Sequence, residues 1–165
     1  MQLPVYLTFA TILAFALAGA HPVQQSFMAP EKHGDIWSLC DDPSTHLLRA
    51  YEDGVYISLA TPRTGEDINV RINGHLLSQV EGGKVDIDLK LLSMIKVKKE
   101  LDLCSILQSD VMGHKSCPLE AGDLVLEAKA FIPREIPKLP LDGRVLISDQ
   151  SGITVTCIHL NFNLQ

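Results

Sequence analysis

Residues 67–91 read DINVRINGHLLSQVEGGKVDIDLKL. In the first part Ile68, Val70 and Ile72 alternate with Asn69, Arg71 and Asn73; in the last, Val85, Ile87, Leu89 and Leu91 alternate with Asp86, Asp88 and Lys90. A period of two sends successive side chains to opposite faces of an extended chain. Such runs predict half-buried antiparallel strands, apolar on one face and wet on the other. Leu124, Leu126, Ala128 and Ala130 repeat the pattern, less cleanly, against Val125, Glu127 and Lys129. Turn signals punctuate the rest: Asp53-Gly54, Pro62 to Gly65, Glu81-Gly82-Gly83, Gly122-Asp123, Asp142-Gly143 and Gln150-Ser151-Gly152. About seven short strands at this spacing predict an all-β chain, a sandwich of two antiparallel sheets. Leu101 to Gln108 alone suits a short helix. In the last strand, Ile153 to Asn163, the alternation changes phase around Cys157-Ile158. A bulge or a strand apolar on both faces would account for it.

Residues 1–20, MQLPVYLTFATILAFALAGA, carry no charged side chain and end in Ala18-Gly19-Ala20. That pattern reads as a secretory leader cleaved after Ala20, its apolar run too short to span a bilayer. Residues 21–34 read as a flexible segment and 35–165 as one folded domain. An exported chain meets an oxidising compartment, so Cys40, Cys104, Cys117 and Cys157 are expected to pair. Three pairings are open to four cysteines. Spacing suggests a local staple, Cys104 with Cys117, and a tie between the ends, Cys40 with Cys157.

The chain carries 14 basic and 20 acidic residues, a formal charge of -6, and only 5% aromatics. An acidic chain without a basic footprint is a poor nucleic-acid binder. Its core must come from Leu, Ile and Val. There is no GxSxG, HExxH, P-loop or GxGxxG, and neither cysteines nor histidines have zinc spacing. His159 is the most tempting lone histidine, and reads better as a packed or rim residue than as a base. Asp41-Asp42, followed by Pro43, reads as a turn. No catalytic residue, metal or cofactor is implied, and an enzyme is disfavoured.

Two features point away from catalysis. Lys96, Lys98 and Lys99 form a basic knot beside Met94, Ile95 and Val97, a composition suited to an anionic head group or membrane surface. Gatekeeping lysines on a solvated strand end are the alternative. Residues 131–143, FIPREIPKLPLDG, interleave Pro133, Pro137 and Pro140 with aliphatics. Such a stiff loop either flanks a pocket mouth or packs over one end of the sandwich.

Taken in order, Gly34-Asp35, Cys40-x-Asp42-Pro43, Asp102-Leu103-Cys104, Cys117-Pro118-Leu119 with Gly122, Pro133-x-Glu135-Ile136-Pro137 and Ile153-Thr154-Val155-Thr156-Cys157 resemble the MD-2-related lipid-recognition (ML) family. Within it the chain is most similar to fungal phosphatidylglycerol/phosphatidylinositol transfer proteins of the Niemann–Pick C2 type. The resemblance implies an immunoglobulin-like sandwich with a lipid between its sheets, and the pairs Cys40–Cys157 and Cys104–Cys117. It places the cavity mouth at Val97, Ile136 and Pro137, although the aromatic usual before the proline is Ile136 here. Ile72, Leu76, Leu89, Leu91, Leu126 and Ala128 are the expected wall, Ala128 and Ala130 leaving room by their small size. The resemblance thus implies a non-enzymatic, monomeric carrier of phospholipid or sterol, secreted or in the vacuolar lumen, touching membranes transiently. The alternative is a secreted interaction module with a solid core and binding loops.

Overall fold

A computed structural model of the chain describes residues 36–58, 61–92 and 94–165. The expected leader and the segment over 21–34 lie outside the described residues. Eight strands form: β1 (Trp37–Leu39), β2 (Leu48–Ile57), β3 (Asp67–Leu76), β4 (Gly83–Leu91), β5 (Ile95–Asp102), β6 (Gly122–Phe131), β7 (Pro140–Asp149) and β8 (Thr154–Asn163). A single helical turn, α1 (Leu103–Leu107), follows β5, and Asp102 caps it by accepting from the Ser105 amide at 2.8 Å. Asp42 likewise caps the 3-10 turn Pro43–Thr45, the turn expected there.

The strands build two antiparallel layers, one ordered β1-β8-β7-β4-β5 and the other β2-β3-β6. Facing each other, they make an immunoglobulin-like sandwich. Register explains which residues lie between the layers. Val85, Ile87, Leu89 and Leu91 pair with Ile147, Val145, Gly143 and Leu141 of β7, and Ile68, Val70 and Ile72 with Ala130, Ala128 and Leu126 of β6. Directly opposed residues share a face, so each alternation becomes a continuous inner row. The polar set faces out and is partly paired there: Lys98–Asp88 at 2.9 Å, Arg144–Asp41 at 3.1 Å, and Arg71 with Glu127.

Both disulfides form in the pairing that spacing and resemblance suggested, Cys40–Cys157 and Cys104–Cys117. The densest packing lies near them. Leu48, Leu76, Val80, Leu103, Leu107 and Val155 are almost wholly buried in one cluster. A smaller cluster of Ile68, Ile132 and Leu164, with Ile57, Leu91, Ile136, Leu141 and Phe162 against it, closes the opposite end.

Two local expectations change, and a third is decided between its alternatives. Asp53-Gly54 is no turn but part of an irregularity inside β2, where pairing jumps from Ala50↔Gly74 to Val55↔Ile72. A Cβ at Gly54 would collide with the Asn73 carbonyl, so glycine serves close approach between strands here rather than chain reversal. Asp142-Gly143 sits within β7, its glycine buried between the layers. The phase change of β8 comes from an extra residue at Val155, since Ser148 pairs with Thr154 and Ile147 with Thr156. That bulge turns Ile158, Leu160 and Phe162 inward.

Candidate functional site

The layers do not close completely. Between them lies a cavity of about 120 Å³. Val70 and Ile72 of β3 and Leu126 and Ala128 of β6 form one wall. Val85, Val145, Ile147, Thr156, Ile158 and Leu160 form the other, and Ile106 and Met112 close the side between β5 and β6. Thr156 is the polar side chain directed at this space; Glu127 borders it, but register turns its carboxylate outward to Arg71. Nothing in the lining can hold a charge or orient a reacting group. The site suits an aliphatic occupant held by exclusion of water.

Small residues make the space. Ala128 lies opposite Val70, where a Leu would fill the gap. Gly143 lies opposite Leu89 outside the lining, and Leu89 fills the space above it: a Cβ there would come within 2.8 Å of the Leu89 Cδ2. An engineered apolar cavity of roughly 150 Å³ admits benzene, so the present volume takes the end of an acyl chain and not a whole lipid.

Ile72, Leu126 and Ala128 from the expected wall line the cavity. Leu76 does not: it is fully buried deeper, in the packed cluster. Leu89 is half-buried on the inner row without reaching the cavity, and Leu91 packs into the smaller end cluster. Of the expected mouth, Ile136 is half-buried in that same end cluster, with Pro137 exposed beside it. Val97 pairs with Leu89 and so belongs to the inner row, yet it is 44% exposed, and Ile95 beyond it 52%. Aliphatics turned inward but left wet mark an edge where the sandwich is open. Leu92 donates its amide to the Pro140 carbonyl at 3.1 Å, which brings the β4–β5 hairpin tip against the proline loop.

The basic knot is not one patch. Register puts Lys96 and Lys98 on the outer face, opposite Lys90 and Asp88, while Lys99 lies opposite Ile87 on the inner side. Lys98 hydrogen-bonds Asp88 and thereby holds that carboxyl below its usual range. His159 is on the outer face, bonded to Asp142 at 2.8 Å, far in character from the apolar interior. Among the described residues no three His, Cys, Asp or Glu side chains cluster as metal ligands. Val70, Val145, Ile158 and Leu160 were missed as lining because alternation gives a face, not a depth. Met112, on the loop between α1 and β6, carried no sequence signal at all.

A family model described as ML domain matches residues 34–164. The phosphatidylglycerol/phosphatidylinositol transfer protein of Yarrowia lipolytica is 32% identical over 128 residues, 76% of this chain and 65% of that one. A Niemann-Pick type C2 protein from Japanese carpenter ant superposes with a TM-score of 0.54 at 16% identity, covering 67% of this chain and 89% of its own. Chicken MD-1, solved in complex with lipid IVa, gives a TM-score of 0.53 at 17% identity over 79% and 91%.

Proposed function

Because the chain belongs to the ML-domain family, we propose that it binds a lipid between its two sheets and carries it between membranes. The observation that supports this most is the aliphatic cavity of about 120 Å³ between the layers, next to an inner row left exposed along β5. A solid interaction module would have filled that space. The work is physical: no bond is made or broken. Each methylene removed from water contributes roughly 0.8 kcal/mol, which is enough, over a chain, to draw a lipid from a bilayer. The ligand class is phosphatidylglycerol or phosphatidylinositol, the lipids named for the Yarrowia relative, with sterol as the second candidate.

Since the cavity is several times too small for a whole lipid, loading requires the layers to part. We place the parting at the β4–β5 hairpin end of the edge bounded by β5 and β6, where Ile95 and Val97 of the inner row stay exposed. The mouth then runs along Val97 and Ile95, with Ile136 and Pro137 at the corner. Membrane contact is made by the hairpin tip, where Met94 is 77% exposed and Leu92, Ile95 and Val97 flank it. Lys90 and Lys96, a like-charged pair directly opposed on the outer face, draw that tip to an anionic surface. The protein acts as a monomer in the extracellular space or an organelle lumen, where its disulfides persist.

The test is loading. Purified protein is incubated with vesicles containing phosphatidylglycerol, phosphatidylinositol, phosphatidylcholine and ergosterol, and native mass spectrometry reads the complex. One lipid per chain is expected, anionic phospholipid ahead of the others. If no lipid co-purifies and none loads, the reading fails.

A further inference from the structure

The row that β5 turns toward the opposite layer contains one charge. Ile95, Val97, Lys99 and Leu101 pair in turn with Leu91, Leu89, Ile87 and Val85, and so share the inner face. Three of these are aliphatic; the fourth is Lys99. Its sequence neighbours point outward and are each neutralised, Lys98 by Asp88 at 2.9 Å and Glu100 by Lys84 at 3.0 Å. Lys99 makes no ion pair with any described residue. On one side of it Leu101 packs into the core; on the other Val97 is exposed. Lys99 therefore stands where the inner row leaves the core and meets water.

That position is close to the cavity. Ile87 pairs with Val145, which lines it. Two strand spacings separate Lys99 from Val145, about 10 Å between main chains, so Lys99 stands beside the cavity and does not line it. Across the gap the inner residues of β6 are Leu124, Leu126, Ala128 and Ala130, the last two small. A free ammonium at the rim of an apolar slot fits an amphiphile with an anionic head and a buried tail. The protein as a whole, at -6, repels anions, so selection of such a head needs a local cation.

We propose that Lys99 is the head-group site: it holds the phosphate of an anionic phospholipid whose acyl chain occupies the cavity. This rests on the lipid-carrying function proposed above and assigns its head-group preference to one side chain. The rival explanation for an inward charge on an edge strand is protection against edge-to-edge pairing, and it makes a different prediction.

Lysophosphatidylglycerol and the phosphate-free monoacylglycerol of one chain length, both below their micelle concentrations, separate head-group recognition from attraction to a charged surface. The wild type is expected to bind the anionic lipid about ten- to a hundredfold more tightly, the range of a hydrogen bond to a charged group. Lys99→Gln brings the ratio to unity and leaves monoacylglycerol binding unchanged, whereas Lys96→Gln and Lys98→Gln keep the preference. Glycerol 3-phosphate at the same concentrations displaces neither lipid, because the phosphate is held only with its tail in place. An unchanged ratio in Lys99→Gln overturns the assignment, the more so if that variant dimerises, which is the edge-protection outcome. Equal wild-type affinity for both lipids also overturns it while lipid binding itself stands. Binding of neither removes the parent function as well.

Discussion

Two regions of this sandwich are built from the same aliphatic residues and treat them in opposite ways. Around Leu48, Leu76, Leu103 and Leu107 the layers meet fully and almost nothing is exposed. Along β5 the inner row of Ile95 and Val97 has no partner layer, and half of each side chain stays wet. The difference is covalent rather than compositional. Cys40–Cys157 ties β8 to the segment after β1, and Cys104–Cys117 ties α1 to the loop before β6, whereas the β4–β5 hairpin tip carries no such link. A fold that must open for a lipid and still survive gains from concentrating its stability on one side. The comparison can be broken at either side.

The largest effects belong to the closed side. Replacing Cys40 and Cys157 together by Ser releases a link across 117 residues and is expected to cost about 5 kcal/mol on the chain-entropy estimate; the Cys104 and Cys117 pair, 13 apart, costs nearer 3. Denaturant unfolding of the two double variants measures the order. Leu76→Ala, at a site with no exposure, is expected to cost about 2–5 kcal/mol by the same measurement. Val97→Ser on the open side changes stability by less than about 0.5 kcal/mol, yet slows vesicle-to-vesicle lipid transfer. Equal stability losses at Leu76 and Val97 would mean that the β5 edge is core after all.

Ala128→Leu tests the space between the two sides. The added methyl groups enter the cavity of about 120 Å³, so stability is expected to stay within about 1 kcal/mol of wild type, while lipid loading falls by an order of magnitude or more. Overpacking would instead lower the melting temperature, and unchanged loading would place the lipid elsewhere.

How much of this was legible in the sequence depends on what a period of two encodes. It fixes which face each residue takes, and the inner rows of β3, β4 and β6 are those the alternation predicts. It is silent on depth along the strand, so Leu76, Leu89 and Leu91 were placed on the wall with Ile72 although they pack elsewhere. Glycine was ambiguous for a related reason. Gly54 and Gly143 looked like chain reversals, but they serve close approach of neighbouring groups, which depends on partners distant in sequence. The cavity needs Leu160, Val145 and Met112 to converge from separate elements, and no local pattern carries that. The lysines were legible as a cluster; only register divides Lys99 from Lys96 and Lys98.

The smallest expected effect is on pH, and it arises on the closed side. His46 is 1% exposed, and its Nε2 lacks a hydrogen-bond partner. Burial pushes its pKa below the ordinary 6.5, against the opposing pull of Asp41, a hydrogen bond to the Cys40 backbone and Asp42; Arg49 adds to the lowering. A depressed histidine favours the neutral form in the folded state, so the unfolded chain binds more protons as acidity rises. Stability is therefore expected to fall as pH drops from 7 through 6.5, and to level off once the folded-state value is passed. On the open side Asp88 and Glu100 are also depressed, by Lys98 and Lys84. Their contribution is exposed to solvent and is lost only at far lower pH, below the ordinary carboxylate range. Between pH 7 and 5 the decline should thus belong to His46 alone of these groups. Denaturant melts of wild type and His46→Gln across that window measure it: the variant, less stable at pH 7, should show a flatter profile. An equally steep profile in the variant would move the acid sensitivity away from the closed side.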